Sequence, residues 1–101
     1  MKKTLPNTDI LFQSSCNCVT YEGIFNGYIT LYENKSIEFE GSIDGVKRVF
    51  FIQILLSDIE FILNRRYVLE DIACEIFSAF QPYLYLVFPS IEERKQFYSQ
   101  I

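Results

Sequence analysis

Histidine and tryptophan are both absent from the 101 residues, methionine occurs once, and glycine and proline number only 4 and 3. Without histidine the chain lacks the commonest general base, the commonest zinc ligand and the side chain that changes charge near neutral pH. Scarce glycine excludes a glycine-rich phosphate loop, because Gly23 and Gly27 flank a stretch of strand character with no helix start behind it. The 3 cysteines are too few and odd in number for a disulfide framework, so Cys16, Cys18 and Cys74 are expected to be reduced and buried. Cys16 and Cys18 would share one side of a strand, but two thiols need further ligands to hold a metal, and no metal or other cofactor is expected. Cations are also in deficit. Lys and Arg number 9 against 13 Asp and Glu, a formal charge of -4, the wrong sign for a generic nucleic-acid or anionic-membrane binder. Long apolar runs are missing as well: the charge-free stretch 76–91 is broken by Gln81-Pro82 and Pro89 and falls short of the roughly 20 residues of a bilayer helix. The charged start Met1-Lys2-Lys3 leads into a polar stretch with Pro6 and not into the apolar core of a signal peptide.

What the chain does contain is packing material, 50% hydrophobic and 17% aromatic residues. That is enough for one core, so a loose lead-in over 1–9 and a single domain over 10–101 are expected. The stretch 10–21 is uncharged and rich in β-branched and aromatic side chains, Glu22-Gly23 offers a turn, and 24–32 continues as the second strand of a hairpin. Within it Gly27 marks a bulge or a close backbone approach. After Glu33-Asn34-Lys35, Ile37 and Phe39 alternate with Glu38 and Glu40, which predicts a third strand with one side in water. A loop over 41–45 precedes the apolar run 47–56, read as a central or doubly covered strand. Strands are predicted over 59–68, 71–77 and 83–88, with a two-residue turn at Leu69-Glu70 and a five-residue turn over 78–82. Pro89 ends the last strand, and Ser90-Ile91-Glu92-Glu93 has the spacing of a helix capping box. Ile91, Phe97 or Tyr98, and Ile101 would form the apolar side of that helix. Mainly antiparallel β structure of seven strands, closed by a C-terminal helix, is the order of a pleckstrin-homology-like sandwich or open barrel.

The stretch Arg65-Arg66-Tyr67-Val68-Leu69-Glu70-Asp71-Ile72-Ala73-Cys74-Glu75-Ile76-Phe77 resembles the signature of the pleckstrin-homology-like domain that precedes the BEACH domain in BEACH-family proteins. Tyr83-Leu84-Tyr85-Leu86-Val87-Phe88, with Arg94 and Tyr98 behind it, is similar to the family's last strand and helix. Upstream, Cys16, Thr20, Gly23, Gly27 and Ile37-Glu38-Phe39 fit more loosely, and Cys74 stands where an aliphatic residue is more usual. The resemblance implies a non-catalytic adaptor of large scaffolds in vesicle, lysosome and autophagy traffic, cytoplasmic and peripheral to endomembranes through its parent protein. It also implies docking on the adjacent BEACH domain, with a peptide or protein ligand as a further partner. No BEACH domain follows Ile101, so an excised domain or a truncated protein is expected.

The residues themselves suggest where docking would occur. With the turn at Leu69-Glu70, Ile62 lies opposite Phe77, and Arg66 lies opposite Ala73 and diagonal to Glu75. The next turn sets Tyr83 beside Phe77, Tyr85 beside Glu75 and Val87 beside Ala73. Phe61, Leu63, Ile72, Cys74, Ile76, Leu84, Leu86 and Phe88 would then face the core. The outer face of Ile62, Arg66, Glu75, Phe77, Tyr83 and Tyr85, aromatic with one arginine and one carboxylate, has the composition of an interface centre. Catalytic residues are not expected, since Glu70-Asp71 and Asp44-Gly45 read as turn formers. A peripheral phosphoinositide- or lipid-binding module of pleckstrin-homology or GRAM type is the alternative. It is opposed by the lack of any basic residue between Lys3 and Lys35, although Lys47-Arg48 could touch an acidic head group. A third reading is a barrel holding an apolar ligand, with Tyr28, Tyr32, Phe50 and Phe51 as lining.

Overall fold

The computed structural model describes residues 9–43, 49–79 and 84–101. Lys47, Arg48, Tyr83, residues 1–8 of the lead-in and the turn residues 80–82 lie outside the described residues. In chain order come β1 (Ile10–Thr20), β2 (Gly23–Tyr32), β3 (Ser36–Ser42), β4 (Val49–Leu55), a single 3-10 turn (Leu56–Asp58), β5 (Ile59–Tyr67), β6 (Glu70–Ser78), β7 (Leu84–Val87) and α1 (Ile91–Gln100). The strands form one antiparallel sheet in the order β4-β3-β2-β1-β7-β6-β5, curled around the core as a half-barrel.

Local chemistry explains the first hairpin. Its turn is Tyr21-Glu22, one residue earlier than Glu22-Gly23, because Thr20 pairs directly with Gly23. The Thr20 hydroxyl accepts from the Glu22 amide at 3.1 Å and donates to the Gly23 carbonyl at 2.9 Å, while Gly23 takes φ +139 at no steric cost. Gly27 lies between Cys16 of β1 and Gly41 of β3, and a Cβ there would overlap the Glu40 carbonyl oxygen. The expected close approach is therefore the reason for this glycine.

Alternation sends Phe25, Ile29 and Leu31 of β2, Ile37 and Phe39 of β3, and Ile52 and Ile54 of β4 inward to meet Cys74, Ile76, Leu84 and Leu86. Helix α1 closes one end through Phe97, whose ring lies 5.2 Å from Phe88 and 6.1 Å from Phe12. Ser90 caps it, its hydroxyl accepting from the Glu93 amide at 3.4 Å and donating to the Glu93 carboxylate. The expected apolar stripe is not there: Ile91, Tyr98 and Ile101 are exposed, and the buried helix residues are Phe97 and Arg94. Arg94 anchors the helix to the sheet by donating from Nε to the Asp71 carbonyl at 2.7 Å.

Two further expectations are corrected. Strand β4 is an edge strand and not a central one; Phe50, Ile52 and Ile54 turn inward, whereas Val49, Phe51 and Leu55 are exposed. A run that is apolar on both sides reads as doubly covered, yet one side of this one meets water. Strand β3 has the predicted period, but Glu38 does not face water. It is 2% exposed, its Oε1 accepting from the Tyr32 hydroxyl at 2.8 Å, and the neighbouring Thr30, which accepts from Gln13 at 2.9 Å, is buried too. Tyr32 replaces water at Glu38 Oε1, while Oε2 is buried with no hydrogen-bond partner among the described residues. The same alternation separates the residues of the apolar-ligand reading, with Tyr28, Tyr32 and Phe51 on the outer face and Phe50 on the inner one, so they do not line one cavity.

Candidate interaction face

The β5–β6 hairpin decides which side chains reach the outer face. Its turn is Val68-Leu69, both at positive φ (49 and 68), with Tyr67 paired to Glu70. Positive φ at both central residues is the backbone of the mirror-image hairpin turn, normally filled by Asn, Asp or Gly. Beyond it the register shifts between Arg65 and Tyr67, where Arg66 faces two residues, Asp71 and Ile72, so that β6 carries the extra residue of a bulge. Phe61 therefore pairs with Phe77, Leu63 with Glu75 and Arg65 with Ala73, while Ile62 pairs with Ile76 and packs against the core.

The expected register is thus one residue out. Ile62 leaves the outer face, and Phe61 and Leu63 join it. Arg65 takes the place expected of Arg66, beside Ala73 and diagonal to Glu75. Its Nε lies 2.6 Å from Glu75 Oε1, with the arginine side chain 48% exposed and the carboxylate 14%. Arg66 instead points to the turn, donating to the Leu69 carbonyl at 3.1 Å, with Asp71 at 3.7 Å. Glu75, Phe77 and Tyr85 are where they were expected, Tyr85 pairing with Glu75 and Val87 with Ala73. The Phe61 and Phe77 rings stack at 4.6 Å and 24°, and Tyr85 donates to the Arg66 carbonyl at 3.4 Å. Arg65, Phe61 and Leu63 were missed because nothing in the sequence marks a Val68-Leu69 turn or a β6 bulge opposite Arg66.

Elsewhere the chemistry is quiet. All 3 cysteines are free and buried. Burial pushes the Cys18 thiol up to about 11 and Cys74 to about 12, the latter against the pull of nearby Arg94, and raises Cys16 well above its ordinary value. Among the described residues no cluster of three or more Cys, Asp or Glu could hold a metal ion. A cleft of about 290 Å³ beside the first hairpin is lined by Cys18, Phe25, Phe50 and Leu84, with Glu22 at its edge. No cation lines it.

A sequence model of the family described as "PH domain associated with Beige/BEACH" matches residues 16–101. The chain belongs to the PH-BEACH family. Members of this family are pleckstrin-homology-like modules of BEACH proteins, and two solved structures share the fold. A C-terminal domain of an unknown protein from Leishmania infantum superposes with TM-score 0.71 at 19% identity, over 92% of this chain and 80% of that one. The linker-DH/PH domains of p115-RhoGEF superpose with TM-score 0.65 at 13% identity, over 92% of this chain and 28% of that longer one. At these identities the likeness concerns the fold alone. No curated protein sequence matches the chain.

Proposed function

We propose that this PH-BEACH chain is a non-catalytic interaction module that docks on the BEACH domain of its parent scaffold through the outer face of β5, β6 and β7. The observation that carries this reading is the Arg65–Glu75 pair set among Phe61, Leu63, Phe77 and Tyr85. An aromatic and aliphatic field around one orientated arginine is the composition of interface hot spots, and the family description names the partner class. Three thiols held protonated by burial provide no ready nucleophile, which supports a non-catalytic role. A scaffold of vesicle, lysosome and autophagy traffic, reaching endomembranes through its other domains, is the setting we propose for it.

The test separates the two arginines. Arg65→Glu sets a carboxylate against Glu75 in a face that docking would dry, so affinity for a BEACH domain supplied in trans should fall by about 2 to 5 kcal/mol in calorimetry. Arg66→Glu, at the exposed bulge, should change it by less than about 1 kcal/mol. Equal loss in both, or in neither, would move the docking surface elsewhere. The lipid alternative is opposed by the cleft beside the first hairpin, whose described lining is mostly apolar with one acid. Selective recruitment to phosphoinositide vesicles would revive it.

A further inference from the structure

The two ends of the sheet are built differently. Edge strand β5 meets β6 with two register shifts, Glu60 being an extra residue of β5 and the second bulge lying on β6 opposite Arg66, and its sequence includes Glu60, Arg65 and Arg66. Bulges and charges are how proteins stop an open edge from pairing with another chain. Edge strand β4 has none of these: Val49–Leu55 pairs with β3 without a shift and contains no charge, proline or glycine. The Leu56 amide bonds the Lys35 carbonyl at 2.8 Å, continuing the β3–β4 ladder and setting its alternation. By that alternation Phe50, Ile52 and Ile54 turn their backbone groups to β3, and Val49, Phe51, Gln53 and Leu55 turn theirs outward. The same residues point their side chains to the solvent side, with Val49 70%, Phe51 37% and Leu55 52% exposed.

We propose that β4 is a self-pairing edge, on which a second copy of this chain docks antiparallel about a two-fold axis at Ile52. That axis sets Val49 opposite Leu55 and Phe51 opposite Gln53 of the other copy, so every outward residue reciprocates its backbone bonds, Val49 meets apolar Leu55, and the two Phe51 rings lie diagonal to each other. The occupant follows from charge as well. Lys47-Arg48 precede the strand in sequence and Asp58 and Glu60 follow it. An antiparallel copy reverses this order of charge along the shared edge, whereas a parallel copy would repeat it. The strand itself has no charge to oppose its own image.

Sedimentation velocity over a wide concentration range, with amide exchange followed by NMR, tests the pairing. A mass-action dimer is expected, in which the Phe51 and Gln53 amides exchange more slowly as concentration rises. Phe51→Lys and Phe51→Glu change an exposed residue, and each alone should weaken the dimer roughly tenfold or more while the melting temperature holds. Their equimolar mixture should recover it, since only a partner copy brings the unlike charges together. Gln53→Pro removes an outward amide and should abolish pairing without reversing any charge. A chain that stays monomeric with concentration-independent exchange overturns the proposal. So does a dimer that survives these substitutions, or a mixture that fails to recover, or protection of these amides that appears only when another protein is added.

Discussion

Arg65 and Arg66 are chemically alike, and one inserted backbone position gives them different work: one holds Glu75 on an open sheet face, the other ties down a turn. Backbone context is equally decisive at Gly27, where the space for a side chain is already filled by the Glu40 carbonyl. Gly27→Ala should therefore push β2 from β3 and cost about 2 to 3 kcal/mol in chemical denaturation, although alanine is otherwise the gentlest replacement. Gly23→Ala, where the nearest atom is a side-chain methyl of Ile43 at 3.5 Å, meets no such wall and is opposed by its φ of +139 alone. The thiols act through protons. Their folded values are raised, so their contribution is full below the unfolded thiol value near 9 and is lost as pH climbs through about 11 for Cys18 and about 12 for Cys74. Stability should fall steadily with pH above about 9, and a Cys18→Ser/Cys74→Ala variant, less stable at neutrality, should show a shallower fall.

At the scale of elements, the β5–β6 turn is the most strained link, because a β-branched Val68 and then Leu69 occupy left-handed backbone while 78% and 82% exposed. Replacing them by Asn-Gly matches residue to conformation and should raise the unfolding free energy by roughly 1 to 2 kcal/mol, read as a higher denaturation midpoint with an unchanged slope. Ser90→Ala should cost about 1 kcal/mol by leaving the first amides of α1 without their cap. This turn also marks the limit of what sequence conveys. Strand positions followed from alternation and turn residues, as at Ile37 to Phe39, and the helix start followed from Ser90 and Glu93, because those signals are local. Pairing register depends on a bulge that needs no special residue, and at Asp71-Ile72, opposite Arg66, there is neither glycine nor proline to announce it. A Val-Leu turn also contradicts the chemistry by which turns are read, so the loop was expected one residue late and the outer face exchanged Ile62 for Phe61 and Leu63. For β4 the period was correct and the neighbour wrong, since nothing in an apolar run tells an edge from a centre.

For the whole molecule, the absence of histidine means that no side chain has an ordinary titration value between pH 6 and 8. Melting temperature should be flat across that window. A net charge of -4 and a first hairpin without cations should leave the chain unbound in sedimentation with phosphoinositide vesicles, at low salt as at physiological salt. The sheet is continuous, but its continuity is narrow at one place: β1 meets β7 through Asn17 with Val87 and Cys18 with Leu86, and β7 itself is 4 residues long. The four-stranded meander β1 to β4 and the β5-to-α1 half are held together largely by what their side chains bury against each other, not by a long shared ladder. The link between them, Leu56–Asp58, contains no buried residue. A cut at the exposed Ser57 removes one covalent bond and leaves Leu56, which packs against the core, on the first piece. Two fragments made separately should find each other in a mixture and rebuild the native spectrum, so that the domain behaves as a two-piece lock that happens to be supplied on one string.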